Sequence, residues 1–203
     1  MKSVVIMRNF LSLTFILLAL TPSGNCLSCI HCVTLDGSPC NGPSVVCAAG
    51  EVCLSVITHA TVGEVEPVTT FNRACGKPEC CDKSTSFSHP SGYLRNDHTC
   101  CYTDDCTPPI PTLPPVTSER NGVICRGCFS PDSDNCDDTN MSCTGDETQC
   151  IQVFTTTSGL ISGMSILRGC ASKQTCDMGN QYSSSGQVHV IAEVSCSPGS
   201  YEI

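Results

Sequence analysis

The stretches "LSCIHC" (residues 27–32) and "VICRGC" (residues 123–128) open two copies of one cysteine pattern. Successive cysteines in the first copy are separated by 3, 8, 7, 6, 22, 6 and 19 residues, and those in the second by 3, 8, 7, 7, 20, 6 and 20. Eight cysteines in the same order, about 96 residues apart, indicate an internal repeat. They lie at 29, 32, 40, 47, 53, 75, 81 and 100, and at 125, 128, 136, 143, 150, 170, 176 and 196.

Residues around the cysteines repeat as well. The stretch "FNRACGKPECC" (71–81) aligns with "ILRGCASKQTC" (166–176), each with an arginine two residues before a cysteine. Between the copies lies "TPPIPTLPPVTSERNG" (107–122), whose five prolines fix the backbone and remove amide donors, so it is predicted to be an extended linker. The predicted domains are therefore residues 27–106, called the first unit, and residues 123–203, called the second unit.

Each unit contains two runs rich in β-branched residues around a glycine-containing segment. They are "CLSVITHATV" and "VTTFNRAC" in the first unit, and "CIQVFTTT" and "MSILRGC" in the second. Such runs are typical of β-hairpins, and no segment shows a sustained helical period. We expect a small all-β architecture whose long loops are tied together by cystines.

The composition indicates a secreted disulfide scaffold. The chain has 20 cysteines in 203 residues, no tryptophan and only 5% aromatic residues, which is too little for a large aromatic core. Small folds of this kind use cross-links to restrict the unfolded chain, each contributing about 2–4 kcal/mol.

The N-terminus has the features of a signal peptide. Lys2 and Arg8 precede the apolar run Phe10–Leu20, which is too short to span a bilayer, and small residues follow. We predict a signal peptide over residues 1–26, with cleavage after Cys26. The chain ends "VSCSPGSYEI", without the hydrophobic tail of a lipid-anchor signal, so a secreted, extracellular protein with no membrane anchor is expected.

Removal of the two basic residues of the signal peptide takes the net charge from −9 to −11. Such an acidic chain is a poor partner for nucleic acid or an anionic membrane and favours a basic partner. The charge is equally compatible with a role in solubility alone.

The C-x2-C openings and the closing "CCYTDDC" (100–106) resemble the lymphocyte-antigen-6/urokinase-receptor three-finger domain. Two such units with a secretory signal and a proline-rich linker resemble the gamma-type phospholipase A2 inhibitors. The resemblance implies an all-β fold of two tandem disulfide-rich, snake-toxin-like three-finger domains. Cystine-tied fingers have little interior for a cofactor, so no cofactor and no metal are expected. The resemblance also implies the pairs Cys29–Cys53, Cys32–Cys40, Cys47–Cys75, Cys81–Cys100 and Cys101–Cys106, followed by Cys125–Cys150, Cys128–Cys136, Cys143–Cys170 and Cys176–Cys196.

The chain departs from the single-domain pattern at two places. The second unit lacks the last small-loop disulfide, because only "SPGSYEI" follows Cys196. Cys80 lies beside Cys81 and is left without a partner once Cys26 has been removed. We expect Cys80 to be a free thiol or an intersubunit bridge, which would make a homo-oligomer, while retention of Cys26 in a bond to Cys80 is the alternative.

The sequence does not match known catalytic or metal-binding motifs. Secreted phospholipases A2 carry C-C-x-x-H-x-x-C, whereas the loop 100–106 has no histidine and is one residue short. In a secreted chain the C-x2-C pairs are more typical of cystine than of zinc. The acidic stretch Asp132–Asn140 lacks the glycine that a calcium loop requires at its sixth position. The histidines show no recognisable catalytic arrangement, so no enzyme activity is expected; they are His31, His59, His89, His98 and His189.

The one N-x-S/T sequon is "NMS", which predicts glycosylation at Asn140 in an exposed loop, unless early closure of the nearby cystine leaves the site unoccupied.

Loop tips on a rigid scaffold are suited to recognition. The first functional hypothesis is a secreted protein-binding module that inhibits secreted phospholipase A2 by blocking its active site, through the central fingers Leu54–Arg73 and Ile151–Arg168. The second is an extracellular, pheromone-like signalling ligand that binds a receptor, resembling the sodefrin-precursor-like two-domain factors.

Overall fold

The computed structural model of the protein describes residues 26–62, 66–113, 116–185 and 187–201. Residues 1–25, which hold nearly all of the predicted signal peptide, lie outside this part. The strands are β1 (Ser28–Ile30), β2 (Cys32–Thr34), β3 (Ser44–Val46), β4 (Val52–Val62), β5 (Val68–Gly76), β6 (Ser84–His89), β7 (Gly92–Cys101), β8 (Arg120–Ser130), β9 (Thr139–Thr144), β10 (Gln149–Gly159), β11 (Gly163–Ala171), β12 (Gln181–Ser185), β13 (Val188–Pro198) and β14 (Ser200–Tyr201).

The first unit is built around the long hairpin of β4 and β5. These strands pair antiparallel from Val52 opposite Gly76 to Ala60 opposite Val68, and β4 pairs on its other side with β7. β6 pairs with β7 and β2 pairs with β5, while β1 and β3 form a separate two-stranded sheet. The hairpin predicted from the β-branched runs is confirmed.

The second unit repeats this plan with β10 and β11 as its central hairpin. β10 also pairs with β13, and β12 completes this side of the sheet. β8 pairs with β11, with β9 and with β14. The predicted all-β class and the second hairpin are confirmed.

Two short helices interrupt the strands at matching places, between the fifth and sixth strands of the first unit and after β11 in the second. A 3₁₀ helix spans Pro78–Cys80, and helix α1 spans Lys173–Asp177. The hydroxyl oxygen of Ser172 accepts a hydrogen bond from the Thr175 amide and caps the start of α1. Both helices are too short to produce a helical period in the sequence.

Buried cysteines form most of the hydrophobic cluster at the centre of each unit. Cys29, Cys47 and Cys53 form one buried cluster. The other consists of Val123 with three buried cysteines, Cys125, Cys143 and Cys170. Phe71 is the largest fully buried side chain in the described part of the chain, so an aromatic ring also contributes to the interior of the first unit.

The two units join edge to edge through β6 and β11. Cys170 lies opposite Ser88 and Ala171 opposite Phe87, so strands from both units form one continuous sheet. The Ser172 amide donates to the Ser86 carbonyl oxygen at 2.9 Å, which extends the pairing beyond β11. We call these contacts between β6 and the second unit the joint.

The predicted linker follows β7 back along the first unit. Its described part has no regular secondary structure until β8 begins at Arg120, three residues before the predicted start of the second unit. The Thr112 amide donates to Asp97 Oδ2 at 3.0 Å, and the Thr99 hydroxyl donates to the Pro109 carbonyl oxygen. The linker is therefore held against β7.

Candidate protein-binding surface

Nine disulfide bonds close the bases of the fingers. In the first unit they join Cys29 to Cys53, Cys32 to Cys40, Cys47 to Cys75, Cys81 to Cys100 and Cys101 to Cys106. In the second they join Cys125 to Cys150, Cys128 to Cys136, Cys143 to Cys170 and Cys176 to Cys196. Each disulfide holds two chain positions together and removes conformations from the unfolded chain. The hairpins therefore project from a cross-linked base.

The cysteines of both C-x2-C openings belong to these bonds. Several cystine sulfurs lie near one another; the sulfurs of Cys125 and Cys143, from two different bonds, are 3.4 Å apart. A cystine sulfur carries no thiolate charge, and zinc is bound by thiolate. These sulfur clusters are therefore packed cross-links in the oxidised protein.

The acidic loop at Cys101–Cys106 fastens the end of the first unit to its beginning. The Ser28 amide donates to Asp104 Oδ1 at 2.8 Å, and the Asp105 amide donates to the Ser28 carbonyl oxygen at 2.7 Å. The Ser44 hydroxyl donates to Asp105 Oδ1. Both aspartates are exposed, as expected for a turn, but their oxygens and amides also tie this turn to β1 and β3.

In the described part of the second unit, strand pairing closes the same place. β14 pairs with β8, with Ser200 opposite Ile124, and the Ser200 hydroxyl donates to the Ile124 carbonyl oxygen at 3.1 Å. Ile124 precedes the first framework cysteine of its unit, as Ser28 does in the first unit. β14 thus makes the contact that the Cys101–Cys106 loop makes in the first unit.

The histidines are dispersed over different elements. His89 is buried, its Nδ1 accepts from the Ser91 amide at 3.3 Å, and its ring lies 5.4 Å from that of Phe129. Burial lowers the pKa of the His89 imidazole. The other contacts are His31 Nε2 accepting from the Cys75 amide, His59 Nδ1 with the Thr69 hydroxyl, His98 Nδ1 with the Lys83 carbonyl oxygen, and His189 Nδ1 with the Tyr182 hydroxyl.

An open cavity of about 490 Å³ lies in the second unit, lined by residues of β8, β9, β10, β11 and β13. Asp138 forms an ion pair with Arg168 at 2.8 Å, and Arg126 lies on the other side of the same carboxylate at 3.7 Å. The Arg168 Nε also donates to Gln152 at 2.8 Å. Asn140, the predicted glycosylation site, is exposed on β9 and lines this cavity.

The central finger of the second unit exposes apolar side chains at its tip. Leu160 is 80% exposed and Ile161 is 63% exposed in the turn between β10 and β11. Both lie in the range Ile151–Arg168 that the sequence predicts for partner contact. The tip of the central finger of the first unit, residues 63–65, lies outside the described residues.

Cys26 and Cys80 have no disulfide partner among the described residues. Cys26 is exposed, and Cys80 is half-buried at the end of the 3₁₀ helix. Cys80 lines a second cavity of about 530 Å³, together with Lys77 and Lys83.

No helix in the described part of the chain has the length and apolar character needed to cross a bilayer.

Comparison with known proteins gives two kinds of match. The u-PAR/Ly-6 domain family matches residues 25–109 and again residues 121–201. The chain is 29% identical to phospholipase A2 inhibitor NAI of Notechis ater, over 77% of this chain and 79% of the relative. It is 29% identical to a phospholipase A2 inhibitor of the gamma type from Elaphe quadrivirgata, over 76% and 78%. It is 27% identical to the 25 kDa chain of a phospholipase A2 inhibitor of Naja kaouthia, over 85% and 94%.

Proposed function

The chain belongs to the u-PAR/Ly-6 domain family, and from this premise we propose that it is a secreted inhibitor that binds secreted phospholipase A2. One observation carries the proposal. The relatives named phospholipase A2 inhibitors align with both units rather than with one, over 75–86% of the chain. Inhibition of an enzyme requires binding to it, so the names of these relatives support a protein-binding role.

The architecture supports binding rather than catalysis. Cystines lie at the centre of both units, and the nine disulfide bonds of the described residues commit eighteen cysteines to structure. The hairpins present their edges, faces and tips to solvent from a rigid base, an arrangement that limits the entropy lost on binding.

The negative charge of both units favours a positively charged partner. The first unit carries nine acidic and four basic residues, and the second unit carries nine and three. Both units are therefore acidic, and a basic enzyme would be attracted to either one. Long-range attraction of this kind raises the association rate and weakens with added salt.

The experiment is a binding and inhibition assay with the purified secreted protein. We expect saturable binding to at least one member of a panel of secreted phospholipases A2, with loss of lipid hydrolysis at the same concentrations. Protein that has been reduced and alkylated serves as the control and should lose both activities, because its fingers are no longer held together. The proposal fails if the native protein neither binds nor inhibits any member of the panel at micromolar concentration.

Affinity capture from extracellular fluid separates this proposal from the signalling hypothesis. A captured phospholipase supports inhibition, whereas a captured receptor ectodomain, with no inhibition in the panel, supports a signalling ligand. The captured protein is identified by mass spectrometry.

A further inference from the structure

Three apolar side chains align on one face of the sheet formed by β11, β10, β13 and β12; we call this the outer face of the second unit. Met164 on β11 lies opposite Thr156 on β10, Thr156 lies opposite Ile191 on β13, and Ile191 lies opposite Tyr182 on β12. Directly opposed residues of antiparallel strands project from the same face of the sheet. Met164, Ile191 and Tyr182 are 44%, 43% and 67% exposed, so this row faces solvent across four strands.

The turn beyond this row adds the exposed side chains of Leu160 and Ile161, already described at the tip of the central finger. We call these five residues the outer apolar patch: Leu160, Ile161, Met164, Tyr182 and Ile191. Isolated exposed apolar side chains are ordinary on protein surfaces, but three in register on one face, with two more in the adjoining turn, are a candidate interaction site.

The second unit as a whole is acidic, with nine acidic and three basic residues, and one carboxylate lies beside the row. Glu193 is exposed on β13, two residues from Ile191 and therefore on the same face. From Gln149 to Tyr201 the sequence has two basic and two acidic residues, and both basic side chains are paired with aspartates. Arg168 contacts Asp138, and Lys173 contacts Asp177 at 2.7 Å.

A partner must complement both properties, apolar contact and negative charge. A protein that binds to an anionic lipid surface has this complement, because it presents apolar side chains that enter the headgroup region and basic side chains that attract the lipid. An enzyme that hydrolyses phospholipids within a membrane needs such a surface. A second copy of this chain is a poorer occupant, because two chains that each carry a net charge of −11 after removal of the signal peptide repel one another.

Resting on the function proposed above, we propose that the outer apolar patch binds the membrane-contacting face of a secreted phospholipase A2. The inhibitor then keeps the enzyme from its lipid surface. Blocking the membrane-contacting face acts on adsorption and leaves the catalytic groups intact. Hydrolysis of phospholipid in anionic vesicles is therefore inhibited much more strongly than hydrolysis of a short-chain phospholipid dissolved as monomers.

The test uses the full secreted protein and three variants. The tip variant carries Leu160→Ser and Ile161→Ser, and the row variant carries Met164→Thr and Ile191→Thr, which keeps residues suited to a strand. The matched control carries Val33→Thr and Leu35→Ser, at positions that are 66% and 77% exposed on the first unit. Thermal unfolding shows whether each variant is folded. If either the tip variant or the row variant does not fold, the other one still tests the patch.

We expect the tip and row variants to bind the phospholipase about tenfold more weakly or worse, and the control to bind as the unmodified protein does. We also expect the unmodified protein to inhibit hydrolysis of anionic vesicles at concentrations that leave monomer hydrolysis largely unchanged. If the unmodified protein and both folded variants bind the phospholipase equally well, the patch is not the binding site, and the proposed function stands. Equal inhibition of the two substrates overturns the adsorption mechanism.

Two other outcomes also decide the matter. If the unmodified protein binds no phospholipase, the proposed function and the patch fail together. If sedimentation shows a dimer that the row or tip variant converts to monomers without loss of inhibition, the patch is a contact between copies of this chain, and the proposal is overturned.

Discussion

The Ser88 hydroxyl of the first unit donates a hydrogen bond to the carboxyl group of Glu147 in the second unit. Glu147 is 2% exposed, so this hydrogen bond is buried in the joint. The Asn121 side chain donates to the backbone carbonyl oxygen of Glu147 at 3.0 Å and holds the turn that presents the carboxyl group. The joint therefore contains a buried titratable group at the contact between the two units.

The first prediction is that Glu147 makes the stability of the protein depend on pH. Burial raises the pKa of the Glu147 carboxyl, while hydrogen bonds from Ser88 and Ser86 and the charge of Arg95 lower that pKa and Asp146 raises it further. A raised pKa in the folded state stabilises the fold fully below the ordinary pKa of 4.5, and this contribution is lost as the pH rises through the folded value.

The test of this prediction compares Glu147→Gln with the unmodified protein by chemical denaturation from about pH 4 to about pH 8. Glutamine can still accept from Ser88 but cannot ionise. We expect the variant to gain stability relative to the unmodified protein as the pH rises. A difference in unfolding free energy that is constant across this range would contradict the prediction.

The second prediction concerns the close approach of backbones in the joint. A Cβ atom added to Gly169 would lie 1.9 Å from the Ser88 carbonyl oxygen, so β6 and β11 pair closely only with glycine there. We expect Gly169→Ala to destabilise the protein by about 3 kcal/mol or more, because a backbone atom cannot move aside as a flexible side chain can. The measurements are thermal unfolding and the rate of proteolysis in the linker.

The matched control for Gly169 lies on the same strand. A Cβ atom added to Gly163 meets no atom within 4 Å. Gly163→Ala should therefore change the stability by no more than about 0.5 kcal/mol. Equal effects of the two substitutions would show that the joint does not need the close approach.

The sequence allowed the fold to be predicted more fully than the surface. The repeated cysteines and the β-branched runs predicted both central hairpins, because cystine spacing and strand composition are local properties of the chain. The joint could not be predicted, since Ser88 and Glu147 carry no signal that they will meet. The apolar row could not be predicted either, because only the strand register brings Tyr182 into line with Met164.

The acidic turn makes contacts that its local sequence does not predict. Two acidic residues between paired cysteines are typical of a solvated turn, and the aspartates of "CCYTDDC" are exposed. Their second role, binding the Ser28 amide and the Ser44 hydroxyl, depends on partners 76 and 61 residues away in the chain. Contacts across such distances follow from the closed fold and leave no pattern in the local sequence.

The third prediction tests that role of the turn. Asp104→Ala removes the acceptor of the Ser28 amide and should lower the unfolding free energy by about 1 kcal/mol. Asp104→Asn is the matched control, since its side-chain oxygen still accepts, and it should leave stability nearly unchanged. Denaturant titration of both variants measures the difference, and equal losses would attribute the effect to charge instead of the hydrogen bond.

The fourth prediction is that Asn140 carries an N-linked glycan. Its side chain is exposed on β9, opposite Arg126, where a glycan has room above the open cavity of the second unit. Enzymatic deglycosylation of the secreted protein should lower its mass, and Ser142→Ala should abolish that change because the sequon is lost. An unchanged mass after treatment of the denatured protein would mean that the sequon is unoccupied.

The fifth prediction concerns the odd cysteine. Cys81 is committed to Cys100, so its neighbour Cys80 is expected to remain a free thiol or to bridge two chains. Alkylation of the denatured, unreduced secreted protein should label one thiol, or mass analysis should show a covalent dimer. Cys80→Ser should remove both signals without lowering the unfolding temperature, because the half-buried Cys80 side chain forms no cross-link within the described chain. A peptide in which Cys26 is bonded to Cys80 would contradict the prediction and would also show that cleavage occurs before Cys26.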